Sequence, residues 1–352
     1  MGACGGGSSE TTAQIVPRTS PTTAPTPTPP EAAATATPPP PSATASATPL
    51  PAASPAHAQA PDRRVLLAAV GDVMLARSIG ARLEANGANT AFAGVSEILA
   101  GADIAFANLE TAIASGGAPE PKGYTFRAPP IAADALVAAG IDLVSLANNH
   151  ALDYGPEALA ETQSLLSERG IRSVGAGPER ARAHAPAVLA VNGLTIAVLG
   201  YVVVPIESGG FNTRRWEATE STPGVAWLEV AVMAEEVERA AADADLVVVM
   251  LHFGLEGQRE PSAEQRAQAR AAIDAGAAVV IGSHPHVLQE VEEYGEGLIA
   301  YSLGNFVFDG FDAPANDSAI LLVELTAEGV VGHELVPVRI IDGLPHLVDE
   351  SP

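Results

Sequence analysis

The sequence has little cysteine, few aromatic residues and little positive charge. Its 352 residues include one cysteine, Cys4, so no disulfide can form within the chain. Aromatic residues make up 4% of the chain, and 18 Lys and Arg residues face 42 Asp and Glu residues, for a formal net charge of −24. A surface of this sign repels DNA and RNA, so we expect no nucleic-acid partner.

Long apolar segments are also missing. The longest apolar runs, such as Leu246–Leu251, are far shorter than the roughly 20 residues that a membrane-spanning helix requires. The sequence therefore predicts no membrane-spanning segment.

The composition divides the chain into two parts. Residues 1–62 consist mainly of Ala, Pro, Thr and Ser, and such a segment buries too little apolar surface to offset its ordering entropy. We expect a disordered surface tether there, followed by one domain over residues 63–352, which is long enough for a single core.

Cys4 lies in a segment that resembles the cleavage end of a bacterial lipoprotein signal. Small residues, Gly2 and Ala3, precede it and a Gly/Ser run follows it, but the basic and apolar parts of such a signal are missing. Either the start codon lies too far downstream or Cys4 is an ordinary thiol. On the first interpretation the protein is a lipid-anchored, extracytoplasmic protein of the bacterial cell surface.

From Arg63 onward, apolar strand patterns alternate with helical ones, which predicts a layered α/β fold. The predicted helices are Gly155–Arg169, Val230–Ala242 and Ala263–Ala275, and Ala319–Leu325 with Val330–Ile341 has the pattern of a β-hairpin region. Two irregular regions, Ser115–Pro130 and Pro205–Pro223, are predicted to be loops near a site. The predicted strands are Val65–Val70, Asp103–Ala107, Asp142–Leu146, Thr195–Tyr201, Leu246–Leu251, Ala277–Ile281 and Leu298–Ser302.

Polar residues with metal-binding side chains follow five of these strands. Each has an ordinary structural explanation when taken alone, because an Asp after a strand often caps a turn and a histidine can be satisfied in a core. Ligands of open α/β sheets collect beyond the carboxyl ends of the strands, so together these residues predict one site. They are Asp72, Glu110, Asn149, His150, His252, His284 and His286.

The ligand types of this set are oxygen and nitrogen, without sulfur. That combination suits Zn²⁺, Mn²⁺ or Fe rather than a thiolate zinc site. Carboxylates and imidazoles in this number can hold one or two divalent ions, which activate water for hydrolysis.

Six strings, in order along the chain, resemble the CapA family, which is associated with poly-γ-glutamate capsule synthesis and related to calcineurin-like metallophosphoesterases. The resemblance runs from about Leu66 to Phe306 and implies a layered β-sandwich flanked by helices. The strings are Gly71-Asp72-Val73-Met74-Leu75, Asn108-Leu109-Glu110, the segment Leu146–Gly155 around Asn149-His150, His252-Phe253-Gly254, Gly282–Val287 around His284-Pro285-His286, and Tyr301–Phe306.

The resemblance implies a role for each site residue. Asp72, Glu110 and His286 would hold a first ion, and Glu110 would bridge to a second ion held by Asn149, His252 and His284. His150 would donate a proton to the leaving group, with Asp72 counted in the same catalytic centre. Asn305 would line the cleft.

Two positions depart from the phosphoesterase pattern. Met74 stands where that pattern has a ligand histidine, and Glu110 stands where it has a bridging aspartate. A one-metal site, a two-metal site with a changed first ion, and a site retained for binding only all remain open.

Basic residues are scarce in this acidic chain, and three of them fall near the predicted cleft. Arg77, Lys122 and Arg127 could pair with the carboxylates of poly-γ-glutamate, with another anionic envelope polymer or with a phosphate; surface ion pairs are the ordinary alternative. With Asn305 they form the predicted substrate-binding set.

The preferred hypothesis is a surface-anchored, metal-dependent, hydrolase-like protein of capsule or envelope polymer metabolism. The alternative is a non-catalytic component that grips the polymer or assists its transport alongside membrane synthase subunits. A third candidate is a phosphoesterase for small nucleotides or sugars.

Overall fold

The computed structural model describes residues 63–207 and 209–348. The predicted tether and the predicted lipid anchor at Cys4 lie outside the described residues, so both stay predictions. The domain boundary predicted at residue 63 also stays a prediction.

Strands and helices alternate along the described chain. The strands are β1 Val65–Val73, β2 Ile104–Leu109, β3 Ala112–Ile113, β4 Arg127–Ala128, β5 Leu143–Ser145, β6 Arg172–Val174, β7 Ala176–Gly177, β8 Ala187–Val191, β9 Leu194–Val203, β10 Gly224–Val225, β11 Leu246–Phe253, β12 Val279–Ser283, β13 Val291–Tyr294, β14 Gly297–Ala300, β15 Asn305–Val307, β16 Asp317–Thr326, β17 Gly329–Ile341 and β18 Leu344–Leu347. The α-helices are α1 Arg77–Asn86, α2 Ser96–Gly101, α3 Ile131–Ala139, α4 Gly155–Glu168, α5 Arg180–Ala183, α6 Val230–Asp243 and α7 Ala263–Asp274, with 3-10 helices at Ala88–Thr90 and Thr213–Trp216.

Two sheets carry most of the strands. An eight-stranded sheet has the order β18-β17-β16-β1-β2-β5-β6, with β15 also paired to β1. A six-stranded sheet has the order β13-β14-β12-β11-β9-β8. Strands β1, β2, β5 and β6 run parallel in the first sheet, as do β9, β11, β12 and β14 in the second.

The two sheets face each other across an apolar layer. Alternate residues of β1, Leu67 and Ala69, pack in a cluster with Val248 and Met250 of β11, which shows which faces meet. The intervening residues face outward. Ala68 of β1 packs in a cluster with residues of α1 to α4, and Val249 of β11 packs in one with residues of α5 to α7. Successive residues of a strand point to opposite faces of the sheet, so both faces are buried here by apolar side chains.

Local signals explain several element boundaries. Ser262 and Gln265 form a reciprocal capping box that begins α7, and Gly140 in a left-handed conformation ends α3.

Gly71 has no room for a side chain, because a Cβ there would lie 1.9 Å from the carbonyl oxygen of Gly304. This close approach holds β1 against the segment that leads into β15.

The mixed α/β architecture predicted from the sequence is confirmed, and the predicted strands and helices match observed elements with end shifts of a few residues. The two regions predicted to be irregular are mainly loops, although β4 and the 3-10 helix Thr213–Trp216 lie within them. In the described ranges, no helix has both the length and the apolar character needed to cross a membrane.

Candidate metal centre

The seven predicted residues come together at the carboxyl ends of parallel strands from both sheets. Asp72 lies near the end of β1, Glu110 directly follows β2, and Asn149 and His150 follow β5. His252 lies near the end of β11, and the turn after β12 carries His284 and His286. Parallel pairing explains the convergence, since it brings these strand ends to one edge of each sheet.

The two carboxylates of the centre, Asp72 and Glu110, are both buried but differ in their hydrogen bonding. Asp72 is hydrogen-bonded on both oxygens: Oδ1 accepts from Asn108 Nδ2 at 2.8 Å, and Oδ2 accepts from the backbone N–H of His284 at 3.2 Å. Glu110 is fully buried, yet neither of its oxygens has a hydrogen-bond partner among the residues that the structure describes. An ionised carboxylate in this state is costly unless a cation neutralises it.

Imidazole nitrogens surround the unpaired Glu110 carboxylate. Glu110 Oε1 lies 3.8 Å from His150 Nε2, 3.9 Å from His252 Nε2 and 3.8 Å from His286 Nε2. Two atoms that each bind one ion at about 2.1 Å can be at most about 4.2 Å apart. The separations of His252 and His286 from Glu110 therefore suit atoms that share a cation.

In the described part of the chain, three overlapping groups of side chains have ligand atoms within 4.8 Å of one another: Asp72, Glu110 and His286; Glu110, His252 and His284; and Glu256, His284 and His286. The first two groups share Glu110, as the two predicted ligand sets do. The residues fit one or two divalent cations, because the ligand types are suitable and Glu110 has two uncompensated oxygens.

Neighbouring polar groups fix the orientation of the ligand side chains. Glu207 Oε1 accepts from Asn149 Nδ2 at 3.0 Å, which turns Asn149 Oδ1 toward His252 Nε2 at 2.7 Å. That short contact requires a proton or a cation between the two atoms. Asn305 Oδ1 lies 2.8 Å from His286 Nδ1 and leaves Nε2 of that ring directed at the centre. Such partners set the tautomer and the ring angle of a metal ligand.

His150 is held by a carboxylate of its own. Its Nδ1 lies 2.6 Å from Asp153 Oδ2, and its ring stacks on Phe126 with 4.2 Å between ring centroids. Asp153 Oδ2 also accepts from the backbone N–H of Phe126 at 2.6 Å. This arrangement leaves His150 Nε2 to face Glu110.

The turn that carries His284 and His286 is strained. Their φ values are 95° and 58°, in the left-handed region that residues with a Cβ rarely adopt. Backbone strain of this kind persists where the surrounding structure enforces it, and it concentrates at functional sites.

Burial and charge shift the acid–base behaviour of the centre. Burial, together with the charge of Asp72, raises the pKa of Glu110 well above its ordinary value. Burial and the neighbouring histidines lower the pKa of His252 and of His284 well below the usual range. Burial alone would lower the pKa of His286, but Asp72, Glu256 and Asn305 together outweigh that effect and raise it. His252 and His284 are therefore held neutral, which is the form that binds metal.

Burial also lowers the pKa of His150. The charge of Lys122 acts in the same direction, whereas Asp153 and Glu207 partly oppose the shift. The neutral form of the His150 ring is favoured in the metal-free protein.

The residues predicted to bind substrate occupy different environments. The Lys122 side chain is fully buried, with Nζ 2.8 Å from Asp153 Oδ1, 2.5 Å from Glu207 Oε1 and 2.6 Å from the backbone oxygen of Asn149. Contact between this ammonium group and a substrate would require it to leave those partners. Asn305 lies within the centre, beside His286.

The two arginines lie further out. The Arg77 guanidinium lies 5.0 Å from the ring of Phe126 and pairs with Asp309, with about a third of the side chain exposed. Arg127 is exposed and lies over the Tyr154 ring at 4.5 Å, while its Nη1 donates to the backbone oxygen of Gly116 at 2.9 Å. Their roles in substrate binding stay predictions.

Sequence reasoning missed several residues that build the centre. Some lie inside the quoted strings and only their roles were missed: Asn108, Asn148, Asp153 and Ser283. Glu207 and Glu256 come from loops, and the sequence carries no spacing signal for Glu207. Glu256 lies four residues after His252, close enough to a predicted strand end to have been considered.

Met74 is completely buried in the core cluster beneath α1 to α4, and its sulfur lies 3.2 Å from the backbone nitrogen of Ala76.

The fold and this site define a layered α/β protein with a candidate carboxylate–imidazole metal centre at its strand ends. The chain belongs to the family described as bacterial capsule synthesis protein PGA_cap, whose model matches residues 66–310.

Two curated relatives are similar over most of their length. The PGA biosynthesis protein CapA of Bacillus subtilis (strain 168) is 33% identical over 279 residues, which cover 78% of this chain and 72% of that protein. The capsule biosynthesis protein CapA of Bacillus anthracis is 32% identical over 298 residues, 82% of this chain and 71% of that protein. The resemblance to the CapA family seen in the sequence is therefore confirmed.

One solved structure, a hypothetical protein from Thermus thermophilus, is 17% identical. The match covers 77% of this chain and 98% of that chain with a TM-score of 0.48, a likeness too weak to bear on fold or function.

Proposed function

We propose that this chain is an envelope protein of capsule or poly-γ-glutamate synthesis with a metal-dependent, hydrolase-like centre. The names of the Bacillus relatives supply the polymer context. The observation that carries the chemistry is Glu110, a fully buried carboxylate with two unpaired oxygens, 3.8–3.9 Å from three imidazole nitrogens.

The fold that accompanies this proposal is the metallophosphoesterase-like one. Two facing sheets with outer helices, and ligands at the carboxyl ends of strands from both sheets, support it. The match to the CapA family is a match of sequence, so it is consistent with this fold but does not require it.

The proposed centre holds one or two ions of Mn, Zn or Fe. When bound, a divalent ion supplies Lewis acidity and lowers the pKa of water toward neutrality. Asp72, Glu110 and His286 form one proposed ligand set, and Glu110, Asn149, His252 and His284 form the other.

His150 is the proposed proton donor to the leaving group of an amide or phosphate ester. Asp153 holds its Nδ1, so that Nε2 is the nitrogen presented to the centre. Because the neutral ring is favoured, His150 would first accept a proton at Nε2, with Asp153 stabilising the charged ring, and would then pass that proton to the leaving group. Asp72 shares the catalytic centre through its contacts with His284 and His286.

Contact with an anionic polymer is assigned to Arg77 and Arg127. Asn305 and the Lys122 side chain are fully buried and would support substrate binding by holding His286 and Asn149 in place. The exposed part of each arginine can pair with successive carboxylates of a polyglutamate chain. In an acidic protein these cations would also counter its repulsion of a polyanion.

The experiment is to purify the full chain, measure its metal content, and assay release of glutamate from poly-γ-glutamate and of product from a chromogenic phosphodiester. Under the proposal the protein binds metal, turnover depends on it, and His284→Ala with His286→Ala abolishes both. Metal-free protein that is unchanged by these substitutions in every assay would contradict the proposal. Cleavage of the phosphodiester alone would favour the third candidate, a small-molecule phosphoesterase.

A non-catalytic role is the second candidate, and Met74 is the observation that favours it. Met74, a buried thioether, stands where the calcineurin-like metallophosphoesterase pattern has a ligand histidine. The first ion would therefore have one protein ligand fewer. In that role the domain grips the polymer beside membrane synthase subunits. Polymer binding that survives chelation, with no hydrolysis, would decide for it.

Anchoring at the outer cell surface through Cys4 is part of the proposal. Labelling of the full-length gene product with a radioactive fatty acid tests it, with Cys4→Ala as the control. Absence of label on Cys4 would contradict the lipid anchor and leave the metal centre unaffected.

A further inference from the structure

The segment after β11 lies directly on the turn that carries His284 and His286. The backbone N–H of Gly257 donates to the carbonyl oxygen of Pro285, the residue between the two histidines, at 2.8 Å. One residue further on, the carbonyl oxygen of Gln258 accepts from Gln289 Nε2, also at 2.8 Å. These two bonds fix the backbone of the segment over the centre.

Glu256 precedes this fixed segment and directs its carboxylate to the two histidines. One of its oxygens and one ring nitrogen each of His284 and His286 lie within 4.8 Å of one another. Glu256 is exposed, whereas the two histidines are 4% and 5% exposed, so the group reaches from solvent into the buried centre.

Two further observations show that the histidine side of this group is built to bind. His284 Nδ1 is buried and has no hydrogen-bond partner within residues 63–207 and 209–348. Both histidines also have positive φ values, and backbone strain of this kind concentrates at functional sites. An exposed glutamate alone would indicate only a solvated surface, but here it lies within 4.8 Å of ring nitrogens of two buried histidines, and one of these histidines has a buried nitrogen that lacks a partner among the described residues.

We propose that Glu256 is a ligand of a divalent cation in this centre, contributed from the solvent side together with His284 and His286. The inference rests on the proposed metal centre and adds to it a third carboxylate. Two divalent ions would bring four positive charges against the two negative charges of Asp72 and Glu110, and Glu256 offsets a further one. Glu256 would thereby supply a carboxylate ligand on the side of the centre where His284 and His286 lie.

The test is a calorimetric titration of Mn²⁺ into the chelator-stripped full chain, for wild type, Glu256→Gln and Glu260→Gln. Glu260 lies on the same exposed segment, so its substitution makes the same change of charge without touching the proposed ligands. Even residues that merely orient metal ligands contribute about 10- to 100-fold to affinity. We expect Glu256→Gln to weaken binding of at least one ion by about tenfold or more, and Glu260→Gln to bind Mn²⁺ as the wild type does.

The electron paramagnetic resonance spectrum of bound Mn²⁺ is the second readout. It should change in Glu256→Gln and stay unchanged in Glu260→Gln, since only the former replaces a charged carboxylate at the ion with a neutral, weaker amide. Because Glu256 is exposed, the thermal stability of the metal-free protein should be unaltered by its substitution.

The possible failures are distinguishable. A Glu256→Gln titration that superimposes on the wild type, or an equal loss in Glu260→Gln, would overturn the role of Glu256 alone. A wild-type protein that binds no Mn²⁺, Zn²⁺ or Fe²⁺ would overturn the proposed metal centre itself.

Discussion

Replacement of Lys122 by methionine is expected to destabilise the protein severely. The ammonium group is completely buried and lies 2.8 Å from Asp153 Oδ1 and 2.5 Å from Glu207 Oε1. Methionine fills nearly the same volume, so the change removes charge and hydrogen bonds and leaves little cavity. Breaking a buried ion pair by removing one partner costs about 3–5 kcal/mol, because the remaining charge is left uncompensated.

The expected loss can be measured by thermal and urea unfolding of the full chain, followed by circular dichroism. For a domain of about 290 residues, with an unfolding entropy of about 2.1 cal/mol/K per residue, 3–5 kcal/mol corresponds to a fall in Tm of roughly 5–8 °C. Arg127→Met is the matched control, because Arg127 is exposed and its loss should cost less than about 1 kcal/mol. In the double variant Lys122→Met with Glu207→Gln, part of the lost stability should return, since one of the two abandoned carboxylates becomes neutral.

The same experiment separates two roles for Lys122. If the side chain contacted substrate directly, Lys122→Met would leave Tm within about 1 °C of the wild type and would raise KM alone. That result would refute the reasoning from burial. The structure instead links Lys122 to Asn149 through its backbone oxygen and to His150 through Asp153, so metal affinity should fall together with stability.

Three further predictions concern the centre and its frame. Glu110→Gln should abolish metal binding yet stabilise the chelated protein, because it removes a buried, uncompensated carboxylate. The raised pKa of Glu110 means that the chelated wild type loses stability as pH rises from the ordinary glutamate pKa through the raised value, and a pH series of Tm values should show this slope weakened in Glu110→Gln. Adding metal at 100 times its Kd should stabilise the wild type by about 2.7 kcal/mol, reversibly with chelator, and no change in calorimetric Tm would count against a resident ion. Gly71→Ala should prevent folding to soluble protein, since its Cβ would lie 1.9 Å from the carbonyl oxygen of Gly304; a soluble variant with wild-type Tm would show that β1 can move aside.

Several parts of the fold could be read from the sequence because they depend on local pattern. Unbroken apolar runs closed by a polar residue marked β1, β2, β5, β11 and β12, and each was buried on both faces as such runs require. The helical periods of α4, α6 and α7 were recognisable for the same reason. The short strands β3, β4, β7 and β10 carry too few residues for any period to show.

The convergence of the seven polar residues was predictable, because each of them lies at or just after the carboxyl end of a strand. Loop contributions were not predictable, because no periodicity relates Glu207 to Asn149, 58 residues away in sequence. Lys122 illustrates the limit most clearly: a scarce cation in a loop suggested an exposed contact, and tertiary packing buried it.

By itself, the sequence determined the alternating α/β elements, the membership of the CapA family and the seven side chains that converge, since these depend on residue type and order. Only the tertiary structure decided how the side chains are oriented and which charges are compensated. It left both oxygens of Glu110 unpaired, bonded Asp72 on both sides and brought Glu256 to His284 and His286. Such outcomes depend on distances of a few ångströms between segments far apart in sequence, and no local pattern encodes them.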